Sequence, residues 1–228
     1  MPFWSYILIA LASYLLGSIP TGFLVAKAKG VDIRAAGSGN IGAANTTRVL
    51  GKPAGIFVLL VDAVKGYAAC KLAIYLAAHF TTRYYDMRHD PDIAAQMDWG
   101  LEPFAILAGM CAVLGHNYTC WLKFKGGKGI ATTAGVYLVL APWAVLIALF
   151  VFVFAVLLTR FVSVGSISAA AALPATVWVM SPQNLPLGIV TTALGALAIY
   201  KHKSNIRRLM NGTENRLGGK PSPPEEKK

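Results

Sequence analysis

Three polar, glycine-containing segments interrupt an otherwise apolar chain, and their residues could bind anions. The first segment, residues 37–48, reads Gly-Ser-Gly-Asn-Ile-Gly-Ala-Ala-Asn-Thr-Thr-Arg, and the second segment, residues 123–133, reads Lys-Phe-Lys-Gly-Gly-Lys-Gly-Ile-Ala-Thr-Thr. The third segment, residues 202–214, reads His-Lys-Ser-Asn-Ile-Arg-Arg-Leu-Met-Asn-Gly-Thr-Glu. Glycine lets backbone amides approach an anion closely, and the other residues add positive charge and side-chain donors. The alternative for the first segment alone is a tight polar loop that caps a helix.

Two nucleotide-binding patterns are nearly matched, but neither has its required context. Residues 37–42 fit G-x-G-x-x-G with Asp62 at the expected distance, yet no strand is predicted before them and Asp62 lies in an apolar helix. Around Lys128, a P-loop requires glycine at position 122 and serine or threonine at 129, where this chain has Leu122 and Gly129. The sequence therefore argues against both kinds of nucleotide site.

The third segment begins with a histidine, the residue type that most often transfers protons near neutral pH. His202, Asn205 and Arg208 are spaced i, i+3, i+6 and therefore share one helical face. His202 could act as a general base, donate to an anion or simply cap a helix. The chain contains no G-x-S-x-G motif and no acid–base pair placed to activate a serine, so covalent catalysis is not predicted.

Composition places these segments in a membrane protein. Of 228 residues, 56% are hydrophobic and 14% are charged, against about 25% charged in a soluble domain. We predict one all-α integral membrane domain over residues 1–217 and a disordered cytoplasmic tail over residues 218–228, which are rich in Pro, Lys and Glu. The net charge of +11 is attributed to membrane topology and to anionic lipid or substrate, with no nucleic acid partner.

About seven transmembrane helices are predicted from the apolar runs. Pro20 should kink the first helix, because proline removes a backbone donor. Asp62 and Lys65 lie one turn apart in the second and should face the interior and each other, since each costs about 2.5–3.5 kcal/mol to insert. The seven runs span residues 3–26, 54–78, 104–118, 130–140, 143–158, 164–180 and 185–200.

Charge distribution predicts the topology. Residues 79–103 hold half of the ten acidic residues and are assigned to an outer loop, whereas most of the 21 lysines and arginines fall on the opposite side. The positive-inside rule then places the N-terminus outside, and the C-terminus and all three polar segments in the cytoplasm. The odd number of cysteines, Cys70, Cys111 and Cys120, indicates packing residues rather than disulfides or a metal site.

Taken together, the three segments resemble the bacterial acyl-phosphate:glycerol-3-phosphate acyltransferases, the PlsY family. The motifs that carry the resemblance are G-S-G-N-x-G-A-x-N-x-x-R, K-x-x-G-G-K-G-x-A-T and H-x-x-N-I-x-R-L-x-x-G-x-E, in that order. The resemblance implies an inner-membrane enzyme with its active site at the cytoplasmic face. It would transfer a fatty acyl group from acyl phosphate to the 1-hydroxyl of sn-glycerol 3-phosphate in phospholipid biosynthesis, without metal or other cofactor. The oligomeric state stays open, with a monomer sufficient for such a site.

The resemblance also implies the site residues. Phosphate binding and orientation of the glycerol would fall to Ser38, Arg48, Lys128 and Asn205, completed by Ser166 and His202. The glycines of the second segment would bring amides to the acyl phosphate, and Glu214 would fix the third segment. The full substrate-binding set comprises Gly37, Gly39, Asn40, Asn45, Gly126, Gly127, Gly129 and Glu214.

Two rival functions use the same residues. A transporter or channel for phosphate or a phosphorylated metabolite would need a similar cationic pocket, although the polar segments gather on one face and no inverted repeat is visible. A lipid-binding scaffold would use only the basic surface.

Overall fold

The computed structural model describes residues 3–86 and 101–218 and, over these residues, contains helices and no strands. The all-helical prediction is therefore confirmed for the described chain. The predicted tail, from residue 219 onward, and residues 87–100 of the outer loop lie outside the described residues. The described residues form ten α-helices: α1 (Phe3–Ser18), α2 (Thr21–Ala28), α3 (Ala43–Leu50), α4 (Lys52–Asp86), α5 (Glu102–Asn117), α6 (Ile130–Leu140), α7 (Pro142–Thr159), α8 (Val162–Met180), α9 (Leu185–Lys201) and α10 (Lys203–Met210).

The first apolar run is broken between α1 and α2, next to Pro20, as predicted. The break leaves carbonyl groups without helical partners, and side chains from two other elements supply the missing donors. Lys65 Nζ donates to the Ile19 carbonyl at 3.0 Å, and Thr119 Oγ1 donates to the Ser18 carbonyl at 2.6 Å. These two bonds satisfy carbonyl groups at the break, where an unpaired backbone acceptor is costly.

Helix α4 is longer than predicted and carries a buried ion pair. Asp62 Oδ1 lies 2.8 Å from Lys65 Nζ, and both side chains are almost fully buried, which confirms the predicted pairing. Thr21 Oγ1 donates to the same carboxylate at 3.1 Å. The outer loop was predicted to begin at residue 79, but α4 continues to Asp86, so that boundary was wrong. Residues 79–86 read His-Phe-Thr-Thr-Arg-Tyr-Tyr-Asp, so the chain becomes more polar there but contains no glycine or proline that would end the helix.

Within residues 3–86 and 101–218, four helical stretches are long and apolar enough to cross a membrane: Phe3–Ala28, Glu102–Leu122, Pro142–Thr159 and Val162–Met180. A fifth candidate is the pair α9 and α10, which are bent by 51° at the residue between them. The two other predicted crossings correspond to α4, which carries buried charges, and α6, which has only 11 residues. Seven crossings and the orientation of the termini stay predictions.

Small residues let the helices approach closely. A β-carbon on Gly135 of α6 would lie 1.8 Å from the Ala63 carbonyl oxygen of α4, and one on Gly66 would lie 2.2 Å from the Thr132 carbonyl oxygen. Such backbone contact is typical of helix pairs in membranes, where van der Waals packing drives association. By contrast, Phe150 and Leu157 of α7 are mostly exposed, as expected of side chains that face lipid.

Candidate active site

The first polar segment forms a loop that is organised around Asn45, a buried residue of α3. Its Nδ2 donates to the carbonyls of Ala36 at 3.0 Å and Asn40 at 2.9 Å, and its Oδ1 accepts from the Ser38 amide at 2.8 Å. The expectation that Asn45 offers free donors to a substrate is therefore wrong. Its amide group is already engaged, and it acts by holding Ser38 and Asn40 in place.

Arg48, one turn further along α3, points into the same region. Its NH1 lies 3.5 Å from Asn45 Oδ1, which leaves most of its donors for a ligand. Partial burial lowers its pKa, while Glu214 acts in the opposite direction. A guanidinium remains protonated throughout the physiological range, so Arg48 is a permanent cation here.

In the second segment, the first two glycines are used for backbone pairing. The Gly126 amide donates to the Asn117 carbonyl at 3.2 Å, and the Gly127 amide donates to the His116 carbonyl at 2.9 Å. The expectation that these two amides face a substrate is therefore wrong. A β-carbon on Gly127 would lie 2.1 Å from His116 Nε2, so this glycine is required for the close approach of the loop to α5.

Lys128 and the third segment form one hydrogen-bonded chain. Lys128 Nζ donates to Asn205 Oδ1, and Asn205 Nδ2 donates to Glu214 Oε1 at 2.8 Å. The other carboxylate oxygen of Glu214 accepts from Arg208 Nε at 2.8 Å. Glu214 therefore orients both Asn205 and Arg208, as expected of a residue that fixes the third segment.

Burial and the neighbouring cations lower the pKa of Lys128. Burial lowers its pKa to about 8, helped by the nearby cations Arg208, Arg48 and Lys201 and opposed by Glu214. A lysine with such a pKa is predominantly protonated at pH 7, and a bound anion would favour its charged form further.

His202 lies at the bend between α9 and α10. Its Nδ1 is 2.7 Å from the Ala198 carbonyl oxygen, and because a carbonyl only accepts, Nδ1 is the donor. In the neutral ring, Nε2 then has a free lone pair. His202 lines the same cavity as Lys128, so its Nε2 is placed to accept a hydrogen bond or a proton there.

The three polar segments meet at one cavity of about 150 Å³. Ten of the predicted site residues line it, which places the segments on one side of the molecule. They are Ser38, Asn40, Asn45, Arg48, Lys128, Gly129, Ser166, His202, Asn205 and Glu214.

A second, wider cavity of about 390 Å³ adjoins the first and shares Ser38, Asn40, Lys128 and Arg208 with it. Its lining adds more cations and no acidic residue, and it includes the predicted residues Gly39 and Gly126. Gly37 and Gly127 line neither cavity. Gly37 has φ +58° and a β-carbon there would lie 2.3 Å from Asn45 Oδ1, so it serves the turn itself. The cations that line only the second cavity are Lys201 and Lys203, and the aromatic residues that line only this cavity are Tyr118 and Tyr200.

An apolar groove of about 200 Å³ continues from the first cavity between α4, α6, α7, α8 and α9. Leu59, Ile130, Ala131 and Phe152 line both spaces. The groove wall is almost entirely apolar, with small side chains on several helices. The site therefore joins a cationic pocket to a space suited to a hydrocarbon chain.

Several residues that line or contact the site were not in the predicted set of site residues. His116 lines the first cavity, and its Nδ1 lies 3.7 Å from Asp62 Oδ1, so the buried ion pair of α4 reaches the site wall. The position of His116 at the end of an apolar run was the available signal. Lys201, whose Nζ donates to the Asn117 carbonyl at 3.0 Å, was counted only as a topology signal. Among the described residues, no three His, Cys, Asp or Glu side chains are grouped to hold a metal ion.

Comparison with known proteins identifies the family. The family model for glycerol-3-phosphate acyltransferase matches residues 7–212. A glycerol-3-phosphate acyltransferase of Geotalea daltonii is 44% identical over 211 residues, which are 92% of this chain and 97% of that protein. The corresponding protein of Geobacter metallireducens is 49% identical with the same coverage.

Solved structures agree with these relatives. The crystal structure of PlsY (YgiH), an integral membrane glycerol 3-phosphate acyltransferase, in its glycerol 3-phosphate form has a TM-score of 0.77 and 35% identity. The alignment covers 93% of this chain and 95% of that one. Its lysophosphatidic acid form has a TM-score of 0.74 and 34% identity, with the same coverage. The chain therefore belongs to the glycerol-3-phosphate acyltransferase family and is a membrane acyltransferase rather than a transporter or a lipid-binding scaffold.

Proposed function

We propose that this enzyme transfers a fatty acyl group from acyl phosphate to the 1-hydroxyl of sn-glycerol 3-phosphate. The products are 1-acylglycerol 3-phosphate (lysophosphatidate) and inorganic phosphate, formed at the cytoplasmic face of a bacterial inner membrane. The observation that carries the proposal is the continuity of a cationic cavity with an apolar groove. An acyl phosphate has this same division, with an anionic head and a hydrocarbon tail.

The charge of the polar cavity suits two phosphate-bearing substrates. Arg48, Lys128 and Arg208 line it, and Glu214, which accepts from Arg208, offsets part of their charge at close range. Positive charge held in a partly dry cavity stabilises anions more strongly than the same charge in water. The wider second cavity, with its additional lysines, supports entry of the water-soluble substrate from that side.

Ser166 is suited to contact substrate without acting as a nucleophile. Its Oγ donates to the Val162 carbonyl at 2.9 Å, so its proton is engaged by the helix. Among the described residues, no histidine or carboxylate is hydrogen-bonded to this hydroxyl, and covalent catalysis needs such an activating partner.

Direct transfer needs no enzyme nucleophile, because acyl phosphate is already an activated mixed anhydride. The glycerol hydroxyl oxygen attacks the acyl carbon, the bond from that carbon to the phosphate oxygen breaks, and the hydroxyl proton leaves with a phosphate oxygen. Lys128 and Arg48 stabilise the negative charge of the reacting groups. Orientation and preorganised electrostatics of this kind account for a large share of many enzymatic rate accelerations.

The related solved structures support glycerol 3-phosphate as the acyl acceptor. The related PlsY protein was crystallised in a glycerol 3-phosphate form and in a lysophosphatidic acid form, which correspond to the acceptor and product proposed here. The assignment of acyl phosphate as the acyl donor rests on the resemblance of the three motifs and on the apolar groove.

The donor is tested directly with purified protein in detergent. Palmitoyl phosphate with glycerol 3-phosphate should yield lysophosphatidate and an equal amount of phosphate, and palmitoyl-coenzyme A should yield none. Arg48→Ala should reduce kcat/KM by about a hundred-fold, the cost of removing a charged donor from the reacting groups. Arg34→Ala is the matched control, because Arg34 is half-exposed and pairs with Asp32 outside the cavities. Transfer from the thioester alone would refute the proposed donor.

A further inference from the structure

Helix α8 begins at the wall of the polar cavity. Val162 and Ser163, its first two residues, both line that cavity. The amides of the first helical turn have no carbonyl partner within their own helix. They also lie at the positive end of the helix dipole, which favours an anion. The helix has 19 residues, long enough for these effects to be developed in full.

Ser163 supplies an independent sign of a ligand. Its Oγ is buried, with 4% of the residue exposed, and has no hydrogen-bond partner among the described residues. Ser166, one turn further on, differs because its hydroxyl donates to the Val162 carbonyl. Buried hydroxyls are nearly always paired, so a free one at a cavity wall indicates a group that binds there.

One face of α8 changes from polar to apolar along its length, as an acyl phosphate does from head to tail. Ser163, Ser166, Ala170 and Leu173 lie on one face at helical spacing. The two serines line the polar cavity, and Ala170 and Leu173 line the apolar groove. With a rise of 1.5 Å per residue, this face is about 15 Å long, the length of an extended chain of roughly a dozen carbons.

We propose that the N-terminal turn of α8, with the Ser163 hydroxyl, binds the phosphoryl group of the acyl donor. The acyl chain then runs along the same helix into the groove. This assignment rests on the proposed donor. It gives the two phosphates separate positions: the donor phosphate lies against α8, and the glycerol 3-phosphate phosphate lies toward the wider cationic cavity. Ser163 is therefore a residue that binds the acyl donor.

Steady-state kinetics of Ser163→Ala test the assignment. Loss of a hydrogen bond to a charged group should raise the KM for acyl phosphate roughly tenfold or more. The KM for glycerol 3-phosphate should stay within about twofold, because the other substrate does not contact Ser163. Inhibition by inorganic phosphate, measured against acyl phosphate, should weaken in parallel.

The control is Ser168→Ala, the same chemical change on the same helix at a residue that lines neither the cavity nor the groove. Its constants should match those of the wild type. An active wild type whose Ser163→Ala variant has an unchanged KM for acyl phosphate overturns the inference alone. A rise confined to the KM for glycerol 3-phosphate also overturns it. A wild type that makes no lysophosphatidate from acyl phosphate overturns the proposed donor, and the inference with it.

Discussion

Replacement of Glu214 by glutamine should narrow the pH range of activity at its basic end. The proposed role of Lys128 requires an ammonium group, and its pKa is lowered to about 8 by burial and neighbouring cations. The value of kcat/KM should therefore fall as pH rises through about 8, since this parameter reports the ionisation of the free enzyme. Glu214 acts to raise that pKa, so its neutralisation should move the fall to lower pH.

The size of the shift follows from the chain Lys128–Asn205–Glu214. Two hydrogen bonds, the second of 2.8 Å, and one amide separate the charges. At roughly 7 Å and an effective dielectric constant of about 20, two unit charges interact by about 2.4 kcal/mol, which is between one and two pKa units. Arg208 shares the carboxylate charge, so we expect a shift of about one unit.

The assay measures kcat/KM for glycerol 3-phosphate between pH 6.5 and about 9.5 in detergent, with labelled lysophosphatidate as the readout. Glu102→Gln is the matched control, because Glu102 accepts from Asn184 Nδ2 at the other end of α5 and lines neither polar cavity. Its profile should match that of the wild type. A Glu214→Gln profile with an unshifted basic limb would refute the electrostatic coupling of Glu214 to Lys128.

Three further predictions concern the packing around the site. Asp62→Asn should destabilise the protein by several kcal/mol, because it leaves Lys65 buried without its charged partner. Adding Lys65→Met should restore part of the lost stability, as measured by thermal unfolding. An Asp62→Asn protein with an unchanged unfolding midpoint would contradict this role of the ion pair. Ala170→Phe should fill the groove and reduce kcat/KM for long-chain acyl phosphates at least tenfold more than for short ones, and equal losses would contradict the groove's role. Gly127→Ala should lower the unfolding midpoint by several degrees through its clash with His116, and an unchanged midpoint would contradict that contact.

Much of the helical framework was predictable, because local signals set its boundaries. The helix Ile130–Leu140 was predicted at its observed ends, because glycines precede it and a proline closely follows it in the sequence. In the structure Gly129 has φ +85° and Pro142 begins the next helix. The Asp62–Lys65 pair followed from spacing and from the cost of unpaired charge in a membrane. The end of α4 was missed because an apolar run marks where a span ends and does not mark where a helix ends.

The composition of the site was predictable only in part. Residue type indicated which groups can bind phosphate, and ten of the predicted residues line one cavity. Which donors remain free depends on tertiary pairing, and this is why the amides of Gly126 and Gly127 were misassigned. The free hydroxyl of Ser163 was equally invisible, because Ser163 and Ser166 look alike in the sequence and differ only in their hydrogen bonds.

The central claim is that the three polar segments form one phosphate-binding site around Lys128. It is tested most directly by kcat/KM of Lys128→Met with acyl phosphate and glycerol 3-phosphate. Lys125→Met is the control, because Lys125 is exposed in the same segment and lines neither polar cavity. We predict a fall of a hundred-fold or more for Lys128→Met, as for loss of a charged donor at the reacting groups, and little change for Lys125→Met. Near-wild-type activity in a correctly folded Lys128→Met protein would contradict the claim.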